Sequence, residues 1–260
     1  MTNSPPPARQ RPQPAPPQPE TPHHPIGDPE LEIGHEHRDV SGGWLRPTVF
    51  GMVDGLVSNF AIVALVAAAS NTARPVVLAG VAGLVGGAIS MGSGEYISVR
   101  SQNESMQAEV EVERHELLHN TDAEIAELAQ MYVDKGVDPE LAQLVSEQLS
   151  QDPERALEIH AQEELGVDIH DLPNPQVAAI SSFLAFSIGA FIPLIPFLFA
   201  AKVLPIAAAL ALIALFVTGA LTSRFTTRTW WYAGGRQVVV GLVSAGVTYG
   251  IGNLFGTTAG

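Results

Sequence analysis

Three residues in apolar surroundings could do chemistry: Asp54 in "FGMVDGLVSNFAIV", and Met91 and Glu95 in "SMGSGEYISV". Met91 and Glu95 stand one helical turn apart, on the face that also carries Ala79, Gly83 and Gly87. Small residues at that spacing let another membrane helix approach closely, which turns this face toward protein or an aqueous path. Two readings stay open here. Either Met91 fills core space and Glu95 snorkels to the interface, or both line an ion route. Asp54 is more telling, because a carboxylate at membrane depth costs at least ~2.5 kcal/mol on insertion scales. No Lys or Arg stands in any apolar stretch to neutralise it. Its partners are a proton or a cation, and competition between them at one carboxylate would couple their movements. Asp, Met and Glu donors together suit a borderline divalent ion such as Fe²⁺, with hard oxygen for charge and soft sulfur against Mg²⁺ and Ca²⁺.

A second set is acidic. Glu113 and Glu116 are three apart, as are Glu124 and Glu127, so each pair can share a helical face. Glu163 and Glu164 follow His160. One such pair is ordinary on a surface helix. These lie in residues 100–175, where 19 Asp/Glu meet four Lys/Arg, a net −15 against −14 for the whole chain. A block so charged repels itself without cations. Cysteine is absent, so any soft ligand must be Met or His. His23, His24, His35 and His37 lie in or beside a Pro- and Gln-rich N-terminal segment, as loose ligands or as a solvated tail.

Five nearly uncharged stretches must position these residues: 49–69, 76–99, 177–201, 203–223 and 237–260. Each has 21–25 residues, and a helical bilayer span needs about 20. With the N-terminus in the cytoplasm, eleven Lys/Arg fall inside and only Arg74 and Lys202 outside. The expectation is an all-α integral membrane protein with five transmembrane helices and a cytosolic, acidic, helical metal-binding domain between the second and third. Residues 1–40 form a disordered cytosolic tail in this reading, 41–99 the first two spans, 100–175 the acidic domain and 176–260 the last three spans.

Within the acidic block the second span should continue as helix to His119. Thr121-Asp-Ala-Glu124 reads as a capping box opening a helix that stops near Gly136. Asp138-Pro139 and Asp152-Pro153 open two more, the last stopping near Gly166. Ile125, Leu128 and Tyr132, then Leu141, Leu144 and Val145, then Leu157 and Ile159 mark their apolar faces. Pro193 and Pro196 break or kink the third span, as a hinge or as its end.

Together these residues resemble the vacuolar iron transporter family, in a bacterial-type member. The resemblance rests on "DGLVSNFAIV", "SMGSGEYISV" and the E-x-x-E…E-x-x-E spacing, and covers roughly residues 38–255. It implies a homodimer of five-helix protomers in a lipid bilayer, exchanging cytosolic Fe²⁺, and often Mn²⁺, for protons. It implies no permanently bound cofactor, and no nucleic-acid partner is expected. By the family pattern, Asp54 and Met91 bind the ion in the pathway. Glu113, Glu116, Glu124, Glu127 and Glu164 gather metal on the cytosolic helices. The chain departs from the pattern at "IHAQEE", where methionines are expected. Either His160 replaces a thioether, or the site is weaker or selects differently. Arginine outnumbers lysine eleven to two, which suggests a bacterial cell membrane; a vacuolar membrane is the eukaryotic alternative.

Two other functions compete. A metal sensor or membrane scaffold needs the same ligands without flux. A ferroxidase could use Glu116-x-x-His119, but di-iron carboxylate bundles need two such motifs on four long helices, and only this one falls on an expected helix.

Overall fold

The computed structural model describes residues 43–200 and 203–256, with side chains described through residue 247. The 1–40 tail and its histidines lie outside the described residues.

Four helices are long and apolar enough to cross a membrane. They are α1 (Leu45–Ala69), α2 (Ala73–His119), α6 (Pro175–Phe191) continued by a 3₁₀ segment (Ile192–Leu198), and α7 (Leu204–Thr222) with its own 3₁₀ end (Ser223–Phe225). The fifth apolar stretch falls on α8 (Trp230–Gly256), a 27-residue helix packed on α7. The acidic block forms the rest of α2, then α3 (Thr121–Asp134), α4 (Pro139–Leu149) and α5 (Pro153–Glu164).

Backbone contact through small residues holds the bundle together. A Cβ at Gly55 would collide with the Phe186 carbonyl, and one at Gly189 with the Met52 carbonyl, so α1 and α6 touch main chain to main chain. Gly83 receives the side chains of Asn59 and Ile62 from α1, and Gly87 receives the Phe186 ring. The small face read from the sequence is therefore a real packing face. Gly86 and Gly94, off that face, meet nothing within 4 Å.

The paired prolines convert α6 to 3₁₀ geometry rather than ending it. Neither Pro193 nor Pro196 can donate an amide, so carbonyls one turn back lose their α-helical partners. The switch also frees the Ala190 carbonyl, and the buried Asn59 amide of α1 donates to it at 2.6 Å. A broken membrane helix is thus re-satisfied by a neighbouring side chain.

One end of the bundle is fixed by three contacts. Gly43 lies against Pro173, the Asn103 amide donates to the Pro173 carbonyl at 2.8 Å, and Trp44 packs edge-on against Phe225 at 5.7 Å. The starts of α1 and α6, the end of α7 and residue 103 of α2 share this end. Beyond it α2 runs on without a break, 47 residues in all, and carries Glu113 and Glu116 out of the apolar region.

Two local expectations change. Asn120, not Thr121, precedes α3 as its cap, and it makes no side-chain capping bond. Thr121 instead donates its hydroxyl back to the Leu117 carbonyl at 2.8 Å, and Glu124 turns into the domain. The capping box is given up because its glutamate is engaged elsewhere. On α4, Leu141 and Leu144 stand outward, 54% and 63% exposed, while Ala142 and Ser146 are buried. Close packing of α3 on α4 selects the small residues for the inner face. The ends of α3 and α5 follow the reading: Gly136 (φ +95°) and Gly166 (φ +65°) take the left-handed conformation just past each helix.

Candidate metal centre

Helix α5 is drawn onto the extension of α2 by a small core of Leu117, Ala156 and Leu157, with Val110 against it. An ion pair from Arg114 to Glu154 at 2.7 Å clamps the same two helices. This packing sets His160, on the inner face of α5, opposite Glu113 of α2. The corner at Asn120 folds α3 back, so that Glu124 approaches from a third side. Glu164 comes one turn after His160 on α5.

The result is a four-residue cluster: Glu113, Glu124, His160 and Glu164 each offer a ligand atom, all within 4.8 Å of one another. Among the described residues it is the only group of three or more carboxylate and imidazole side chains so arranged. His160 Nδ1 lies 3.0 Å from Glu113, 3.2 Å from Glu164 and 3.7 Å from Glu124. His160 is fully buried and the side chains of Glu124 and Glu113 are 9% and 12% exposed, while Glu164, with its side chain 23% exposed, forms the solvent side of the site.

Enclosing three carboxylates around one imidazole has an electrostatic cost. Burial pushes the Glu113 carboxyl up to about 7, helped by the charges of Glu164, Glu124 and Glu127 and by a hydrogen bond with Glu164. Burial also raises Glu124; His160 pulls it back, and Glu127, Glu164 and Glu116 add to the rise. Without a cation, the Glu113 carboxyl is therefore partly protonated near neutral pH, and a divalent cation would replace that proton. His160 Nε2 is buried and has no partner among the described residues. One imidazole nitrogen and three carboxylates form a mixed N/O donor set for a borderline ion. Around an ion with ligand bonds of about 2.0–2.3 Å, opposite donors stand about 4.0–4.6 Å apart, so a group spanning up to 4.8 Å closes inward on binding.

The other expected ligands stand differently. Glu116 is half-buried and accepts a hydrogen bond from Asn120; Glu127 is exposed. Both act on the cluster by charge from its rim. Glu163 pairs with Lys135 and so ties α5 to the end of α3. Glu116 and His119 do not converge as a di-iron half-site. His119 Nδ1 is bonded to the His115 carbonyl at 2.7 Å, and its ring stacks on His115.

In the bundle, Asp54, Met91 and Glu95 are all half-buried, and Met91 packs against Ala88, Phe186 and Ala190. Two buried polar groups accompany them. The Asn59 carbonyl oxygen, which faces Gly83, and the Ser182 hydroxyl on α6 have no hydrogen-bond partner among the described residues. Asn59 stands in the motif already singled out. Ser182, one of two adjacent serines in "AISSFLAF", carries no spacing signal in the sequence.

The VIT family model matches residues 45–253, from the first described helix to near the end of α8. A protein of Acanthamoeba castellanii named "Vacuolar iron transporter" is 36% identical over 228 residues, 85% of this chain and 83% of that protein. "Vacuolar iron transporter 1" of Oryza sativa subsp. japonica is 28% identical over 87% of this chain and 92% of its own length. The protein of the same name in Arabidopsis thaliana is 30% identical over 75% of this chain and 80% of its own. Both Glu-x-x-Glu pairs, the cluster they supply and the motifs around Asp54 and Met91 lie inside the matched region, and the chain belongs to the VIT family.

Proposed function

We propose that this chain carries divalent metal across a membrane, with Fe²⁺ as cargo and protons moving in exchange. The observation that carries the reading is the Glu113–Glu124–His160–Glu164 cluster, whose Glu113 lies on the same helix that bears Met91 and Glu95 in the bundle. In this reading the acidic domain is cytosolic and collects the ion. Glu116 and Glu127 attract it at the rim, and the cluster holds it. Asp54 and Met91 bind it next in the bundle, with Glu95 at the mouth. Asp54 accepts either a proton or the ion, so the two exchange at one carboxylate. Met91 adds a sulfur that favours Fe²⁺ over harder ions. Mn²⁺ is the alternative cargo, and His160 in place of a thioether bears on that choice.

Helix α8 serves as the fifth span, and the protein acts as a homodimer with its N-terminus in the cytosol. Exposed Trp230, Trp231 and Tyr232 at the start of α8, with Arg224 and Arg228 just before, suit the cytosolic interface. The test is uptake of Fe²⁺ and Mn²⁺ into proteoliposomes with and without a pH gradient. Gradient-dependent uptake supports the exchange. Tight metal binding with no flux leaves the sensor reading in its place.

A further inference from the structure

The mechanism above leaves one pair of metal-ligating side chains unused. His115 and His119 stand one turn apart on the exposed side of the α2 extension. His115 follows Glu113 by two residues, about 200° round the helix, so the pair points away from the buried cluster. Their rings are stacked, with centroids 4.0 Å apart and planes 29° from parallel. His119 Nδ1 lies 2.7 Å from the His115 carbonyl. A carbonyl only accepts, so Nδ1 carries the proton and Nε2 keeps its lone pair outward. Such a backbone bond on the second ring nitrogen is the support that metal-bound histidines commonly have. The pair lies on a continuous helix, so the spacing of the two imidazoles is set before any ion arrives.

We propose that His115 and His119 form a second, solvent-facing site for a divalent d-block ion, separate from the buried cluster and independent of the transport reading. Two imidazoles supply the protein ligands and water completes the coordination. The backbone bond holds the His119 ring, and rotation of the His115 ring about its soft terminal torsion turns its nitrogen toward the same ion. An all-imidazole pair binds Cu²⁺ best, then Ni²⁺ or Zn²⁺, and leaves Mg²⁺ and Ca²⁺ in solution. The chain has eight histidines, four of them in the N-terminal segment. The buried cluster contains only one, so a centre with two imidazole nitrogens distinguishes this pair from it.

The test uses the full chain in detergent with His23, His24, His35 and His37 replaced by alanine, loaded with two equivalents of Cu²⁺, one of them for the buried cluster. Electron paramagnetic resonance should show hyperfine coupling to two imidazole nitrogens. The signal should vanish in His115→Ala/His119→Ala, with loss of one bound equivalent. It should return in Glu111→His/His119→Ala, which rebuilds the one-turn spacing a turn upstream on the same face. The proposal is overturned if the two-nitrogen signal is absent from the parent, persists in the double variant, or does not return when the pair is moved.

Discussion

The membrane bundle and the acidic domain solve opposite problems with the same kind of helix. In the bundle, small residues bring α1, α2 and α6 into backbone contact, and the candidate ligands stand singly and half-buried. In the acidic domain the helices meet through one small core and two cross-helix ion pairs, and four ligands converge in a closed site. A closed site with four donors holds an ion. Single donors spaced along a helix bind weakly enough to release one. The contrast fits collection in the domain and passage in the bundle, and the two regions should respond differently to substitution.

The largest expected effect is in the bundle. Asp54→Asn keeps size and polarity but cannot ionise, so Fe²⁺ uptake in proteoliposomes should fall to background while the variant still purifies normally. Wild-type uptake would remove Asp54 from the exchange site. Met91→Leu keeps volume on the Phe186 contact but removes the sulfur. It should slow uptake and let Mn²⁺ compete better.

The scaffold beneath those ligands gives the next prediction. Gly55→Ala and Gly189→Ala place a methyl against a backbone carbonyl that cannot move aside, so each should reduce the yield of monodisperse protein sharply. Gly86→Ala, with open space around it, should purify like the parent. Equal behaviour of the three would mean that the α1–α6 approach is looser than described.

In the domain, Glu113→Gln should weaken divalent binding at least ~10-fold, by analogy with the loss of supporting ligands at metal sites. It should slow transport without abolishing it, since the membrane path stays intact. Glu163→Gln, outside the cluster and paired with Lys135, should leave affinity within a factor of about two. Titration calorimetry of the two variants separates a ligand from its neighbour.

Most of the fold was legible because its signals are local. Span length and helix punctuation by Gly136, Gly166, Pro139 and Pro153 are each read from one contiguous stretch. The small face of α2 was legible for the same reason. What the sequence could not reveal depended on partners distant in the chain. Glu124 reads both as a capping residue and as a metal ligand, and only the approach of His160 on α5 decides between them. Leu141 and Leu144 read as a core face until α3 is seen to take Ala142 and Ser146 instead. Glu163 and Glu164 are adjacent and chemically identical, and only the course of α5 turns one to the cluster and the other to Lys135. The prolines raised a question that α1 answers, because the carbonyl freed by the break is taken by Asn59.

The last prediction concerns pH and sets the two regions apart through the unfolding step of the acidic helices. Glu113 is raised from its ordinary 4.5 to about 7, chiefly by burial. Between those values the folded domain binds more protons than the unfolded chain, so its stability falls as pH rises. This contribution is full below about 4.5 and is lost as pH passes through about 7. The metal-free protein should therefore show a falling Tm from pH 5 to 7.5 for the unfolding step of the acidic helices. A divalent ion needs the ionised carboxylates, so affinity should rise over the same window and the Tm gained on adding metal should grow with pH. Glu113→Gln removes the titrating group and should flatten the metal-free slope. Differential scanning calorimetry of the full chain in detergent, with and without Mn²⁺ as a probe that resists air oxidation, reads both trends. A metal-free Tm that is flat or rising across this window in the parent would show that the three carboxylates are not enclosed together.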